Sequence, residues 1–81
     1  MARSRALTMI MLAQNHALLG DLAEAARAGQ AAVGLARPLG SARTKDRLAP
    51  LARLLADRED TVSRHLLDDV TRFRSEPITS G

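Results

Sequence analysis

The chain has 81 residues and carries 12 basic against 9 acidic side chains, a net charge of +3. That length allows one small domain, burying about 60% of the surface its unfolded chain exposes, and the absence of cysteine excludes disulfides and thiolate metal sites. Hydrophobic residues make up 46%, yet most are Ala and Leu and Phe73 is the sole aromatic, so the expected core is thin and its stability marginal without a partner.

Residues 1–5 are basic and expected to fray. The apolar run 6–13 behind them superficially resembles a secretory signal, but no small-x-small cleavage site follows in Gln14-Asn15-His16. Neither export nor a membrane span is expected, since a span needs roughly 18 apolar residues. The spacing predicts a first helix over about 5–19, with Met9, Leu12, Ala13, His16 and Leu19 at steps of three and four on its inward face. Leu7, Ile10, Met11 and Leu18 lie off that face. Such a helix is apolar most of the way round, which implies burial on more than one side.

Gly20-Asp21 reads as a helix stop followed by a helix start. Glycine suits the left-handed residue after a helix end, and Asp21 with Glu24 three residues later has the form of a capping box. A second helix is predicted over 22–36, with Leu22, Ala25, Gly29, Ala32 and Ala36 forming a stripe of mostly small residues. That stripe would admit another helix at close range, offsetting the cost of Gly29. Gly34 lies off the stripe and has no evident reason. Pro38 ends the helix and biases Arg37 toward extended backbone.

Ser41 is the expected N-cap of a third helix running to about Ala56, with Leu48, Leu51, Leu54 and Leu55 as its apolar stripe. Pro50 within it removes one backbone bond and clashes with the preceding turn, so the helix should kink between Asp46 and Ala49 or split there, the kink being favoured. A fourth helix is predicted over about 60–74, capped by Asp60 or Thr61. Val62, Leu66, Val70 and Phe73 face inward with Leu67 alongside, and Asp60–Arg64 and Arg64–Asp68 are spaced for exposed ion pairs. Residues 75–81 contain Pro77 and no periodic pattern, the expectation for a disordered tail.

The hairpin over 5–39 resembles one tetratricopeptide repeat, a unit of two helices in about 34 residues. Ala13 stands where the repeat wants a small residue in its first helix, Gly20-Asp21 matches its turn, and Ala25 and Ala32 fall on the small-residue slots of its second helix. Met9, His16 and Gly29 depart from the usual Trp, Tyr and aromatic, and Pro38 comes one residue late. The run 35–48 resembles the C-terminal end of repeat domains in bacterial helix-turn-helix regulators. The resemblance implies an all-α fold of four helices, two antiparallel hairpins in a right-handed stack. Residues 41–74 would cap the repeat-like hairpin within one domain over 1–74.

Catalytic chemistry finds few candidates. His16 falls in the apolar seam, where a packing role is expected, and His65 has only Asp68 and Asp69 at helical spacing. Glu59-Asp60 and Asp68-Asp69 are adjacent on helices and diverge by about 100°. No phosphate loop, nucleophile elbow or metal motif is present. No enzymatic activity, cofactor or metal is therefore expected.

Binding is the expected role, in the cytoplasm. Stacked repeats number about three before their faces are covered, and the surplus apolar surface of the first helix calls for another occupant. The resemblance assigns Leu7, Ile10, Met11, Gln14, Ala17 and Leu18 to contact with a protein or peptide, or with a second copy of the chain. A basic cluster of Arg43, Lys45, Arg47 and Arg53 is the candidate for an anionic partner, with a solvated face as the simpler account. Two alternatives stand beside this. One is an oligomerising or sensory fragment of a bacterial transcription regulator. The other is a basic nucleic-acid-binding module, disfavoured by the lack of aromatic stacking platforms.

Overall fold

A left-handed glycine decides where the first helix stops. Gly20 sits at φ +82°, where glycine meets no steric penalty. Its N–H and that of Asp21 donate back to the carbonyls of Ala17 and His16, at 3.1 and 2.9 Å, the Schellman pair that satisfies carbonyls left open at a helix end. The chain is seen here as a computed structural model that describes residues 2–40 and 42–77. It forms α1 (Ala2–Leu19) and α2 (Leu22–Ala36) on either side of that turn. The start of α1 lies about a turn earlier than the sequence suggests: residues 2–5 are helical rather than frayed. No capping box forms at α2, where the Asp21 side chain makes no cap bond. Glu24 pairs instead with Arg27 at 3.4 Å.

Beyond α2 the chain tightens into a 3-10 turn, Arg37–Leu39, closed by Gly40 at φ +57°. Arg37 keeps right-handed helical angles (φ −57°, ψ −46°) rather than the extended backbone expected before proline. Pro38 sits in the first turn of this segment, where its missing donor costs no bond. The third helix is interrupted at one residue, Leu48, giving α3 (Ala42–Arg47) and α4 (Ala49–Ala56). Leu48 itself stays right-handed (φ −82°, ψ −11°), and the chain splits here into two helices, the alternative to the favoured kink. Pro50 thereby falls in the first turn of α4. The expected cap Ser41 lies outside the described residues.

α5 (Thr61–Ser75) is capped by Asp60, whose Oδ2 accepts the Ser63 N–H at 2.8 Å. Ser75 closes this helix and Glu76 is held by other elements, so these two residues do not belong to the disordered tail expected over 75–81; residues 78–81 lie outside the described ones. The exposed ion pairs also shift, to Arg58–Asp60 at 3.3 Å and Arg72–Asp68 at 3.1 Å, in place of those expected through Arg64.

The fold is all-α, two helical hairpins stacked so that α1 packs on α2 and α4, and α5 packs on α2 and α4. The core divides its volume unevenly. Ala6, Ile10, Ala13 and Ala17 face inward from α1, and Ala25, Ala28, Ala32, Val33 and Ala36 from α2. The second hairpin answers with Leu48, Leu51, Leu55, Leu66, Val70 and Phe73. Large side chains thus fill the space left by a backbone studded with alanine. Gly29 is the extreme case: a Cβ there would lie 2.7 Å from Leu66 Cδ1, so only glycine admits α5 this closely.

Two faces differ from the sequence reading. α1 is turned about one residue, ~100°, so Ala6, Ile10 and Ala17 enter the core with Ala13, while Leu12 and Leu19 are exposed and Met9 and His16 half-buried. The alanine face wins because it lets α1 lie close against α2, whereas leucines there would hold the two backbones apart. In α5, Val62 is exposed and Ser63 takes its place inside.

Candidate docking surface

The outward face of α1 is greasy. Met11, Leu12, Leu18 and Leu19 are 63, 39, 68 and 81% exposed. Their spacing repeats every seven residues, Met11 to Leu18 and Leu12 to Leu19, which brings all four to the side opposite Ala6, Ile10, Ala13 and Ala17. Asn15 lies between them and Thr8 precedes them along the same strip, both exposed. Residues 6–20 contain no Asp, Glu, Lys or Arg. The strip itself is therefore contiguous and uncharged, with Arg47 of α3 beside it at Met11.

The six residues assigned to partner contact divide between core and surface. Ile10 and Ala17 are buried and unavailable to a partner. Leu7 packs partly against the core. Gln14 is tied across the stack, its Nε2 donating to the Arg47 carbonyl at 3.2 Å. Leu7, Ile10, Met11 and Gln14 do come together with Arg47 around one shallow cleft, but its volume of about 160 Å³ is below the several hundred Å³ of an ordinary ligand site. Only Met11 and Leu18 stand out in solvent. Leu12 and Leu19, which periodicity assigned to the interior, join them; seven-residue spacing does not separate the two faces, because the buried pairs Ala6–Ala13 and Ile10–Ala17 share it.

The basic cluster is also divided. Arg43, Arg47 and Arg53 are exposed, but Lys45 is buried. Its Nζ donates to the Glu76 carbonyl and lies 5.2 Å from the centroid of the Phe73 ring. The Arg37 guanidinium lies 5.8 Å from the same centroid and holds the Glu76 carboxylate through Nε, 3.1 Å from each oxygen. A cation over a ring face is attracted by its quadrupole, and a cation at a helix C-terminus meets the negative end of its dipole. Together the four residues clasp the end of α5 to the 3-10 turn and to α3. Hydrogen bonding from Arg37 holds the Glu76 carboxyl below the ordinary glutamate range, and the same pair raises Arg37. The Ser63 backbone N–H lowers Asp60 in the same way. Only the isolated Lys45 and the lone aromatic hinted at this clasp in the sequence.

His16, expected to pack in the hairpin seam, is half-exposed with Nδ1 3.8 Å from Asp21 Oδ2 across the turn. His65 is exposed beside Arg64 and Asp68. Among the described residues, no three His, Asp or Glu side chains converge to hold a metal ion. A cleft of about 570 Å³ beside Lys45, Asp46, Thr71, Arg74 and Glu76 is open to solvent. No helix among the described residues is long and apolar enough to cross a membrane. No protein family, no curated protein and no solved structure matches this chain.

Proposed function

We propose that this protein is a helical docking module that binds another polypeptide through the outer face of α1. One observation carries the reading: four large apolar side chains stand exposed in a single strip on the side of α1 turned away from its own core. Water-exposed Met and Leu scattered singly are ordinary, whereas apolar side chains gathered into one contiguous patch are characteristic of contact surfaces. A strip one helix long suits a partner helix laid along it. The repeat-like features at Ala13, Gly20-Asp21, Ala25 and Ala32 support the same reading, because repeats of that kind are binding scaffolds. The cytoplasm suits a cysteine-free helical module of this kind.

The test separates a contact face from a structural one. Replacing Leu18 and Leu19 together with Glu should shift stability by no more than about 0.5 kcal/mol, as at ordinary surface sites, in thermal denaturation followed by circular dichroism. The same change should abolish binding of a hydrophobic-surface dye to the folded chain. Loss of the fold in that variant would place the two leucines in the core and remove the reading.

A further inference from the structure

We infer that the occupant of the α1 strip is a second copy of the chain, its α1 lying antiparallel across a two-fold axis at Asn15. This rests on the docking role proposed above and names the partner. The strip is its own complement: about an axis at residue 15, Met11 faces Leu19 of the other copy, Leu12 faces Leu18, and Asn15 faces itself. An interface of this isologous kind needs only one patch. A polar Asn within an apolar helical seam fixes register, since its amide finds a partner only in the matching Asn.

Charge selects the orientation. The strip itself is uncharged from 6 to 20, so its contact is chiefly apolar, with Arg47 beside Met11 at its edge. Its ends differ in sign. Arg5 is exposed near the start of α1 with no acidic partner among the described residues. Exposed Asp21 marks the other end. Arg5 lies ten residues before the axis and Asp21 six after it, roughly 15 and 9 Å at the helical rise, so an antiparallel pair brings the cationic end of one α1 to within about 6 Å, along the helix axis, of the acidic turn of the other. A parallel pair would instead place Arg5 against Arg5. Four apolar side chains per copy fall well short of the ~800 Å² per partner of a standard interface. The dimer should therefore be concentration-dependent, half-formed on the order of 10 μM, a weak affinity by the usual scale.

Light scattering across that concentration range should show the mass rising from 8.7 kDa toward twice that value. Leu18→Glu and Leu19→Glu should each hold it at the monomer. Because the chain lacks cysteine, single cysteines report the register by oxidation. Asn15→Cys should cross-link to itself, and Met11→Cys should cross-link with Leu19→Cys in a mixture but not with itself. Self-linkage of Met11→Cys would overturn the antiparallel arrangement. A wild-type chain that stays monomeric at about 1 mM, a hundred times the expected midpoint, would overturn self-pairing. In that case dye binding that Leu18→Glu removes would leave the docking reading standing, and the absence of dye binding would remove both.

Discussion

Gly29 and Gly34 are five residues apart in one helix and answer to opposite demands. At Gly34 a Cβ would meet nothing within 4 Å, so the position carries the flexibility cost of glycine with no packing return. Gly34→Ala should stabilise the protein by about 0.5–1 kcal/mol. At Gly29 the added carbon would press on Leu66 Cδ1, with Cδ2 and Cγ at 3.1 and 3.4 Å behind it. Leu66 is almost fully buried, so its branch has little space into which to swing, and Gly29→Ala should destabilise by about 1–3 kcal/mol despite its better helix propensity. Chemical denaturation of the two variants checks both signs at once. Ser63 gives a third case: its buried hydroxyl has no hydrogen-bond partner among the described residues. Removing an orphaned group relieves its desolvation, so Ser63→Ala should be neutral or stabilising by up to about 1 kcal/mol in the same measurement.

At the scale of elements, both ends of α5 depend on ionised groups. Glu76 and Asp60 both have carboxyls lowered by their partners, Arg37 and the Ser63 N–H respectively. A depressed carboxylate contributes its stability above the unfolded value, near 4, and loses it as pH falls through the depressed folded value. Thermal stability should therefore be level from neutral pH down to about 5 and decline below about 4. Glu76→Gln should flatten part of that decline, and a variant with the full wild-type acid slope would show the Arg37 pair to be without effect. Lys45→Met keeps the aliphatic stem and removes the cation over Phe73 and the Glu76 carbonyl, for an expected loss of about 1–2 kcal/mol. These elements show how far the sequence could be read. The start of α2, the Gly20 stop, the Asp60 cap and the break before Pro50 were legible because each rests on backbone chemistry carried by one or two residues. The rotation of α1 was not legible, because that helix is apolar on nearly every side and periodicity has no polar face to set its phase. Nor was the clasp, since Arg37, Lys45, Phe73 and Glu76 meet only through the stacking of hairpins.

For the molecule as a whole, the unequal core makes the first hairpin dependent on the second. Apart from Ile10 and Val33, the buried side chains of α1 and α2 are alanines, each contributing little area, whereas the leucines, Val70 and Phe73 of the other hairpin supply most of the apolar volume. At roughly 25 cal/mol per Å², alanine contacts alone do not offset the entropy of ordering some thirty-five residues at about 1–2 kcal/mol each. The two hairpins should therefore melt as one unit. Phe73→Ala removes the largest buried side chain, nearly inaccessible in the fold, and loses about 3–5 kcal/mol by transfer and cavity terms together. For a domain of this size that is a large fraction of total stability. Hydrogen exchange on this variant should show protection falling in α1 and α2 as much as in α5, although Phe73 lies outside both. Protection that persists in α1 and α2 while α4 and α5 open would mean that the alanine hairpin stands by itself. A peptide of residues 1–40 then gives the complementary reading: low helicity and no cooperative melt are expected, because the faces that Leu51, Leu55, Leu66 and Val70 cover in the whole chain are left open to water.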